Sequence, residues 1–169
     1  WSSDVCSSDL EALLVASDAA ANDFFGTSVS ISGDTVVVGA YADDTGANID
    51  QGSAYVFTRT GTNWTQQAKL IASDGAGNDN FGISIGISGD TVVVGAYGDD
   101  VGPVSDQGSA YVFNRRGTSW SQQAKLTAAD GAAVDWFGYA VMIADDTLVV
   151  GSCFDDVNGN IDQGSTYVF

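Results

Sequence analysis

The sequence predicts an all-β fold built from tandem repeats, on the basis of three observations. The 22 acidic residues are 21 Asp and one Glu, and Asp favours turns whereas Glu favours helices. Val, Ile, Thr, Tyr, Phe and Trp, which favour strands, recur in short runs between turns that contain Gly and Asp. Several of these runs return every 56 residues. We therefore expect short antiparallel strands joined by Asp-bearing turns.

Each complete repeat is predicted to hold four strands, which in the first copy span residues 26–32, 35–41, 53–59 and 64–72. The first strand alternates apolar and polar residues, whereas the second, TVVVGAY, is apolar nearly throughout. Gly33 and Asp34 form a tight hairpin turn between these strands, and residues 59–63 form a second hairpin. A strand that is apolar on both faces must be covered on both faces. A four-stranded blade between two other blades meets that need.

The repeats themselves align without gaps. A Phe-Gly pair recurs at a constant spacing, at residues 25–26, 81–82 and 137–138. The first two copies are identical at 40 of 56 positions, and the third lacks the Trp-bearing segment of the others. We place the copies at residues 14–69, 70–125 and, incomplete, 126–169, within one domain over residues 11–169. The predicted fold is thus a β-propeller fragment of about three four-stranded blades.

Two other expectations concern the ends of the chain. Residues 1–10, WSSDVCSSDL, match nothing later in the sequence and resemble either a translated sequencing adapter or a Ser/Asp-rich linker. We expect this tail to lie outside the fold. Closed propellers have about four to eight blades, so we also expect further blades, or self-association through open sheet edges. An array of Ig-like sandwiches is the alternative fold, but it needs about 100 residues per unit.

The composition excludes several classes of function. Apolar residues make up 44% of the 169, too large a share for a disordered acidic tail. Five basic residues and a net charge of −17 argue against nucleic-acid binding. The lack of His removes Ser-His-Asp and Cys-His catalysis and His-ligated zinc. No run of 18 apolar residues is present, so we expect no membrane span.

The motif Phe25-Gly26, followed by Gly39-Ala40-Tyr41, resembles the FG-GAP repeat. The second copy repeats this motif, and the third carries a weaker form that ends in Gly151-Ser152-Cys153. The resemblance implies a propeller like that of integrin α-subunit heads, extracellular or at the cell surface, with a non-enzymatic role. Calcium-binding relatives carry a D-x-D-x-D-G loop between the first two strands, but here that place holds only Ser32-Gly33-Asp34. The usual calcium site of the family is therefore not expected.

The charge distribution predicts a polarised molecule. In a propeller, the loops from strand four to strand one and from strand two to strand three lie on one face, and these loops hold 15 of the 22 acids. We expect the basic residues to avoid this face, with the Arg residues at the strand three to four hairpins and Lys69 and Lys125 within strand four. Cys153, which replaces Tyr41 and Tyr97, is expected to be buried as an apolar residue.

The loop aspartates have two interpretations. In the first, they form turns by accepting backbone N–H groups. In the second, they bind calcium, and the segment 156–162 is the best candidate because its oxygen-bearing side chains alternate, although no bidentate Glu follows. The ligands of that site would be Asp156, Asn158, Asn160 and Asp162. The weaker candidates are the corresponding aspartates of the other copies, Asp44, Asp50, Asp100 and Asp106.

We weigh three functions for such a molecule. The favoured one is a non-enzymatic extracellular interaction or adhesion module that presents its acidic face to a protein partner. The alternative is a calcium-dependent adhesive or carbohydrate-binding propeller, whose partner is a surface glycan. A hydrolase that uses paired carboxylates such as Asp43 and Asp44 is the least favoured, because the same pair recurs in every copy whereas an active site is normally unique.

Overall fold

A computed structural model describes residues 10–169 of the chain. The prediction for the tail therefore falls, except at Leu10, outside the described residues. Within residues 10–169 every regular element is a strand, and the strands form three antiparallel sheets. The all-β prediction is confirmed, and the sheets follow the repeats in sequence order.

The first two sheets have four strands each, and the third has three. The first sheet contains β1 (Val29–Ser32), β2 (Thr35–Ala40), β3 (Ser53–Thr60) and β4 (Asn63–Leu70). The second contains β5 (Ser84–Ser88), β6 (Thr91–Ala96), β7 (Ser109–Arg116) and β8 (Ser119–Leu126). The third contains β9 (Phe137–Ala144), β10 (Thr147–Ser152) and β11 (Ser165–Val168). In every sheet, strands adjacent in sequence are also adjacent in space.

The turns explain where the strands begin and end. Ser32 pairs with Thr35, so the first hairpin has the expected two-residue loop, and Gly33 supplies a φ of 57°. The first strand begins at Val29 and not at residue 26. Before it, Gly26 adopts a φ of 94° and turns the chain. This turn directs the preceding Phe25 toward the rings of Tyr55 and Phe57.

The sheets pack face to face, as blades do in a propeller. One apolar cluster joins the first sheet to the second through residues such as Val37, Phe81 and Val94, all of which are fully buried. Neighbouring Val93 is also fully buried but belongs to a second cluster shared with the third sheet. The middle strand of the second blade is thus covered on both faces, which is why it is apolar nearly throughout.

The prediction that Cys153 is buried is wrong. The thiol is exposed, at the start of the loop that follows β10. At the corresponding place, Tyr97 is held by rings of the next blade, Trp136 and Tyr139. The side chain of Cys153 is smaller than a tyrosine ring and is exposed to solvent.

Candidate functional site

The Asp-rich loops meet at one end of the sheets. Asn78, which precedes β5, donates its backbone N–H to the carbonyl of Ile49, which follows β2, at 2.8 Å. Lys69 forms ion pairs of 2.7 Å with both Asp18, before β1, and Asp43, after β2. We call this end the acidic face. It comprises residues 17–28 and 41–52 of the first copy and the corresponding residues 73–84, 97–108, 129–140 and 153–164.

The prediction that the basic residues avoid this face is wrong for both lysines. Lys125 lies one residue before the end of β8, at the edge of the acidic face, and its flexible side chain reaches Asp74 and Asp99, each at 2.7 Å. Its ammonium also lies 5.4 Å from the centre of the Tyr111 ring. Burial acts to lower the pKa of Lys125, but hydrogen bonds to Asp74 and Asp99 outweigh it and raise the pKa. The ammonium therefore stays charged and neutralises part of the face.

The arginines lie at the opposite end, as predicted. Arg59 and Arg115, at the ends of β3 and β7, bind Asp34 and Asp90 in the two-residue turns. These exposed pairs contribute little to stability. They do place the arginines of the first two blades away from the acidic face.

One aspartate in each loop before the first strand of a blade is buried. Asp23, Asp79 and Asp135 each accept, at 2.6 Å, the backbone N–H of the residue three positions earlier. Burial raises the pKa of Asp79 to about 6, although the N–H of Ala76 opposes this, and the nearby charge of Asp99 adds to it. These carboxylates form the turns, as the first interpretation of the aspartates requires.

The raised pKa of Asp79 predicts a pH-dependent stability. An unperturbed Asp titrates near 3.8, so between about pH 4 and 6 the folded chain binds more protons than the unfolded chain. The free energy of unfolding should therefore rise as the pH falls through this window, by about 2–3 kcal/mol. Asp79→Asn should stabilise the chain at pH 7 and remove this slope in urea unfolding from pH 7 to 4. The exposed Asp146→Asn is the control, and an unchanged slope in D79N would contradict the assignment.

The loops predicted to bind calcium have a common geometry. In each, the first Asp accepts the backbone N–H of the last at 2.8–2.9 Å, and the last adopts a φ of 50–54°. The pairs are Asp44 with Asp50, Asp100 with Asp106 and Asp156 with Asp162. In the third loop the Asn160 amide donates to Gln163, and Asn158 is exposed on a turn.

These contacts support the turn-forming interpretation, in which carboxylates close a loop. Residues 10–169 contain no group of three or more Asp, Glu or Cys side chains arranged to hold a metal ion. Calcium binding at Asp156, Asn158, Asn160 and Asp162, or at the weaker candidates, stays a prediction.

Sequence reasoning missed an aromatic cluster on the acidic face, made of Tyr97, Trp136, Tyr139 and Phe154. The Trp136 ring centre lies 4.8 Å from that of Tyr97, 5.8 Å from that of Tyr139 and 4.6 Å from that of Phe154. Tyr139 is 46% exposed and Phe154 is 37% exposed. The sequence contains a signal for this cluster, because three of its positions depart from the repeat. The positions of Trp136, Tyr139 and Phe154 hold Asn80, Ile83 and Gly98 in the second copy.

The aromatic cluster lies among the carboxylates. The backbone N–H of Trp136 donates to the carbonyl of Asp106 at 3.4 Å, which places the backbone of Trp136 beside the loop of Asp100–Asp106. Phe154 directly precedes Asp155 and Asp156 in sequence. The face therefore combines exposed rings with negative charge, a combination that suits guanidinium and ammonium groups.

The repeated, face-packed antiparallel sheets define a repeat protein of the β-propeller type. The FG-GAP repeat family matches the chain at residues 9–57, 64–113 and 120–169, well over half of its length. The chain belongs to the FG-GAP repeat family, which confirms the resemblance of its Phe-Gly and Gly-Ala motifs. No match was found among curated proteins. Within residues 10–169 there is no helix long and apolar enough to cross a membrane.

Proposed function

We propose that the chain is a non-enzymatic extracellular interaction module whose acidic face binds a protein partner through Arg and Lys side chains. The observation that carries the proposal is the aromatic cluster set among exposed carboxylates. Aromatic side chains supply much of the energy at the centres of protein interfaces, and carboxylates supply complementarity to a basic partner. Tyr139 and Phe154 are exposed, so part of the ring surface of the cluster is open to contact with a partner.

The contacts of the paired carboxylates support a non-enzymatic role. Asp43 is buried and forms an ion pair with Lys69, whereas Asp44 accepts the backbone N–H of Asp50. The two carboxylates thus have separate structural partners, and the same arrangement recurs at Asp99 and Asp100. FG-GAP repeat proteins are generally non-enzymatic and commonly extracellular or surface-exposed. The net charge of −17 also suits a molecule that must stay soluble outside the cell.

The proposal predicts binding of a short arginine-rich peptide that depends on the aromatic cluster. The variant combines Trp136→Asn, Tyr139→Thr and Phe154→Ala, which introduce residues that the other copies carry at these positions. Calorimetric titration should show affinity for the peptide at physiological salt, and about 10-fold or greater weakening in the triple variant, since cation–π contacts contribute about 1–2 kcal/mol. A lysine-rich peptide of equal charge should bind more weakly, because ammonium stacks less well.

A matched control separates the aromatic cluster from general charge attraction. Phe24→Asn makes the same kind of change at the position equivalent to Trp136 in the first copy, where the ring stacks only on Tyr41 among the rings of residues 10–169. This variant should bind the peptide nearly as the wild type does. Equal affinity in the wild type and the triple variant would leave only nonspecific attraction to the carboxylates and would contradict the proposal.

The second candidate is the calcium-dependent carbohydrate-binding or adhesive propeller. The rings of Trp136 and Tyr139 are stacked with an interplanar angle of 21°, and Tyr139 is half exposed, which also suits a sugar ring. Thermal melts in calcium, magnesium and chelator at matched ionic strength test whether the chain binds calcium. A midpoint raised by calcium alone would favour this candidate, and equal midpoints with an empty glycan array would remove it.

We also propose that the open outer faces of the first and third sheets accept further blades. Val29 and Ile31 of β1 and Met142 of β9 are exposed apolar side chains. Exposed apolar sheet faces of this kind mark association surfaces.

A further inference from the structure

The third loop after the second strand of a blade carries an Asn-Gly pair at its tip, where it departs from the repeat. Asn158-Gly159 takes the place of Gly46-Ala47 in the first copy and of Gly102-Pro103 in the second. Each pair forms the centre of a tight turn, because the residues that flank it bridge one another, as Val157 and Asn160 do in the third copy. The sequence contains no other Asn-Gly pair.

An asparagine that precedes a glycine can react with its own backbone. The backbone nitrogen of the glycine attacks the side-chain carbonyl carbon, Cγ, and closes a succinimide ring, while the side-chain nitrogen leaves as ammonia. Water then opens the ring, either at the bond to Cγ, which gives aspartate, or at the bond to the backbone carbonyl carbon, which gives isoaspartate. In sum, an amide and water become a carboxylate and ammonium. Glycine favours the attack because it has no Cβ to hinder it.

The turn presents both reacting groups to water. Asn158 adopts a φ of 55° and Gly159 a φ of 81°, the positive values that an Asn-Gly hairpin turn requires. Both residues are exposed. Within residues 10–169 the backbone N–H of Gly159 donates to no backbone carbonyl, and the side-chain hydrogen bonds of this loop involve Asn160 and Asp156. Base therefore has access to the nitrogen that must lose its proton.

The third turn is also held by fewer hydrogen bonds than the other two. In the first two copies, the residues that flank the tip exchange two backbone hydrogen bonds of 3.0–3.2 Å. Among the described residues of the third copy, only the N–H of Asn160 donates across the tip, to the carbonyl of Val157 at 3.0 Å. Ring closure requires the backbone at Asn158 to rotate, and a turn held by one such bond resists this rotation less.

The exposure of this tip does not depend on the open face of the third sheet. The corresponding residues 46–47 and 102–103 are exposed too, although the next blade contacts each of those loops. That blade binds the later part of the loop, at the carbonyls of residues 49–51 and 105–107. A further blade beside the third sheet would therefore leave Asn158 and Gly159 accessible to water.

Two Asp-Gly pairs can form the same ring, but the structure holds them differently. They lie at residues 74–75 and 130–131. In both, the glycine N–H donates to a backbone carbonyl at 3.3 Å, and the aspartate side chain is engaged, by Lys125 in one and by Tyr167 in the other. An ionised carboxylate is also a poorer target for a nucleophile than an amide is. These two pairs are therefore less reactive than the Asn-Gly pair.

We infer that Asn158-Gly159 is a site of spontaneous deamidation, at which the folded chain slowly converts Asn158 into aspartate or isoaspartate. Water is the only co-reactant. Either product adds one negative charge to the acidic face. Isoaspartate also lengthens the backbone between Val157 and Asn160, so the turn that joins them must rearrange. The inference does not rest on the partner proposed for the acidic face.

Ageing of the whole folded chain tests the inference. Samples are kept for several weeks in neutral and in mildly alkaline buffer, digested with chymotrypsin to release residues 155–167, and analysed by mass spectrometry. Asn158 should gain the mass of deamidation, faster in the alkaline buffer because base removes the proton from the Gly159 nitrogen. Isoaspartyl methyltransferase should label the same peptide. Asn160, which precedes the branched Ile161, should stay unchanged, and a sample digested at the start corrects for deamidation during digestion.

The repeat supplies a matched control variant. Asn158→Gly with Gly159→Ala gives the third loop the tip of the first copy, so this chain should fold and melt as the wild type does and show no mass change in the peptide. An unmodified Asn158 after several weeks in alkaline buffer would overturn the inference. Equal conversion of Asn160, or equal isoaspartate at residues 74 and 130, would also overturn it, since neither depends on this turn. Peptide binding enters none of these measurements, so they are separate from the test of the proposed function.

Discussion

Gly95→Ala should destabilise the chain by about 3 kcal/mol or more, because a Cβ at this position overlaps the carbonyl of Gly138. The hydroxyl of Ser84 lies on the same side and binds that carbonyl, so the blades must separate to admit the methyl group. Overlap with backbone is relieved less easily than overlap with a flexible side chain. Urea unfolding at a protein concentration that keeps the chain monomeric measures the effect.

Gly151→Ala is the matched control for Gly95→Ala, since the two glycines are equivalent in the repeat. Its Cβ makes only ordinary contacts with Ala140, so the substitution should change the free energy of unfolding by about 0.5 kcal/mol or less, in the stabilising direction. Equal destabilisation by the two substitutions would show that the glycines serve the strands themselves. It would contradict the role of Gly95 in the contact between blades.

Lys125→Met should have the other large effect, a loss of about 3–5 kcal/mol at pH 7. The substitution keeps the aliphatic part of the side chain but leaves Asp99, which is buried, without its counter-charge. The hydroxyls of Ser109 and Tyr111 would remain the only described side-chain donors to Asp99. Arg116→Met removes the same charge from an exposed position and should change the stability little.

The pH dependence of Lys125→Met identifies its cause. Burial acts to raise the pKa of Asp74, but Lys125 outweighs burial and lowers it below 3.8. A carboxyl with a depressed pKa stabilises the fold above its ordinary pKa, and this stabilisation is lost as the pH falls further. The deficit of the variant should therefore be full at pH 7 and shrink below pH 3.8. A deficit independent of pH would indicate lost packing.

The repeat period and residue types were sufficient to predict the sheets. The pattern TVVVGA predicts a second strand that is covered on both faces, and in the middle blade Val92, Val93 and Val94 are all fully buried. The start of the first strand was not predicted correctly, since the alternation continues through Gly26 although its backbone has turned. A hydrophobic pattern indicates which side chains are buried, but it does not indicate the backbone φ angle at a glycine.

The candidate site was only partly predictable. The concentration of aspartates on one face follows from loop order, but the reach of Lys69 and Lys125 depends on side-chain direction at a strand end. The aromatic cluster joins Tyr139 of β9 to residues from three separate loops, and no spacing rule connects Tyr97 with Trp136 and Phe154. The hydrogen bond that closes the 156–162 loop could not be predicted either, because the alternation of oxygen-bearing side chains does not determine which oxygen accepts a backbone N–H.

Recognition of a basic partner by the acidic face is tested most directly by mapping a bound peptide on the isotope-labelled chain by NMR. Titration with the arginine-rich peptide should shift the indole N–H of Trp136 and the amides around Asp100 and Asp156. The amides of Gly61 and Gly117, in the hairpins at the opposite end, should stay unchanged. Shifts spread evenly over both ends, or confined to the hairpins, would contradict the account.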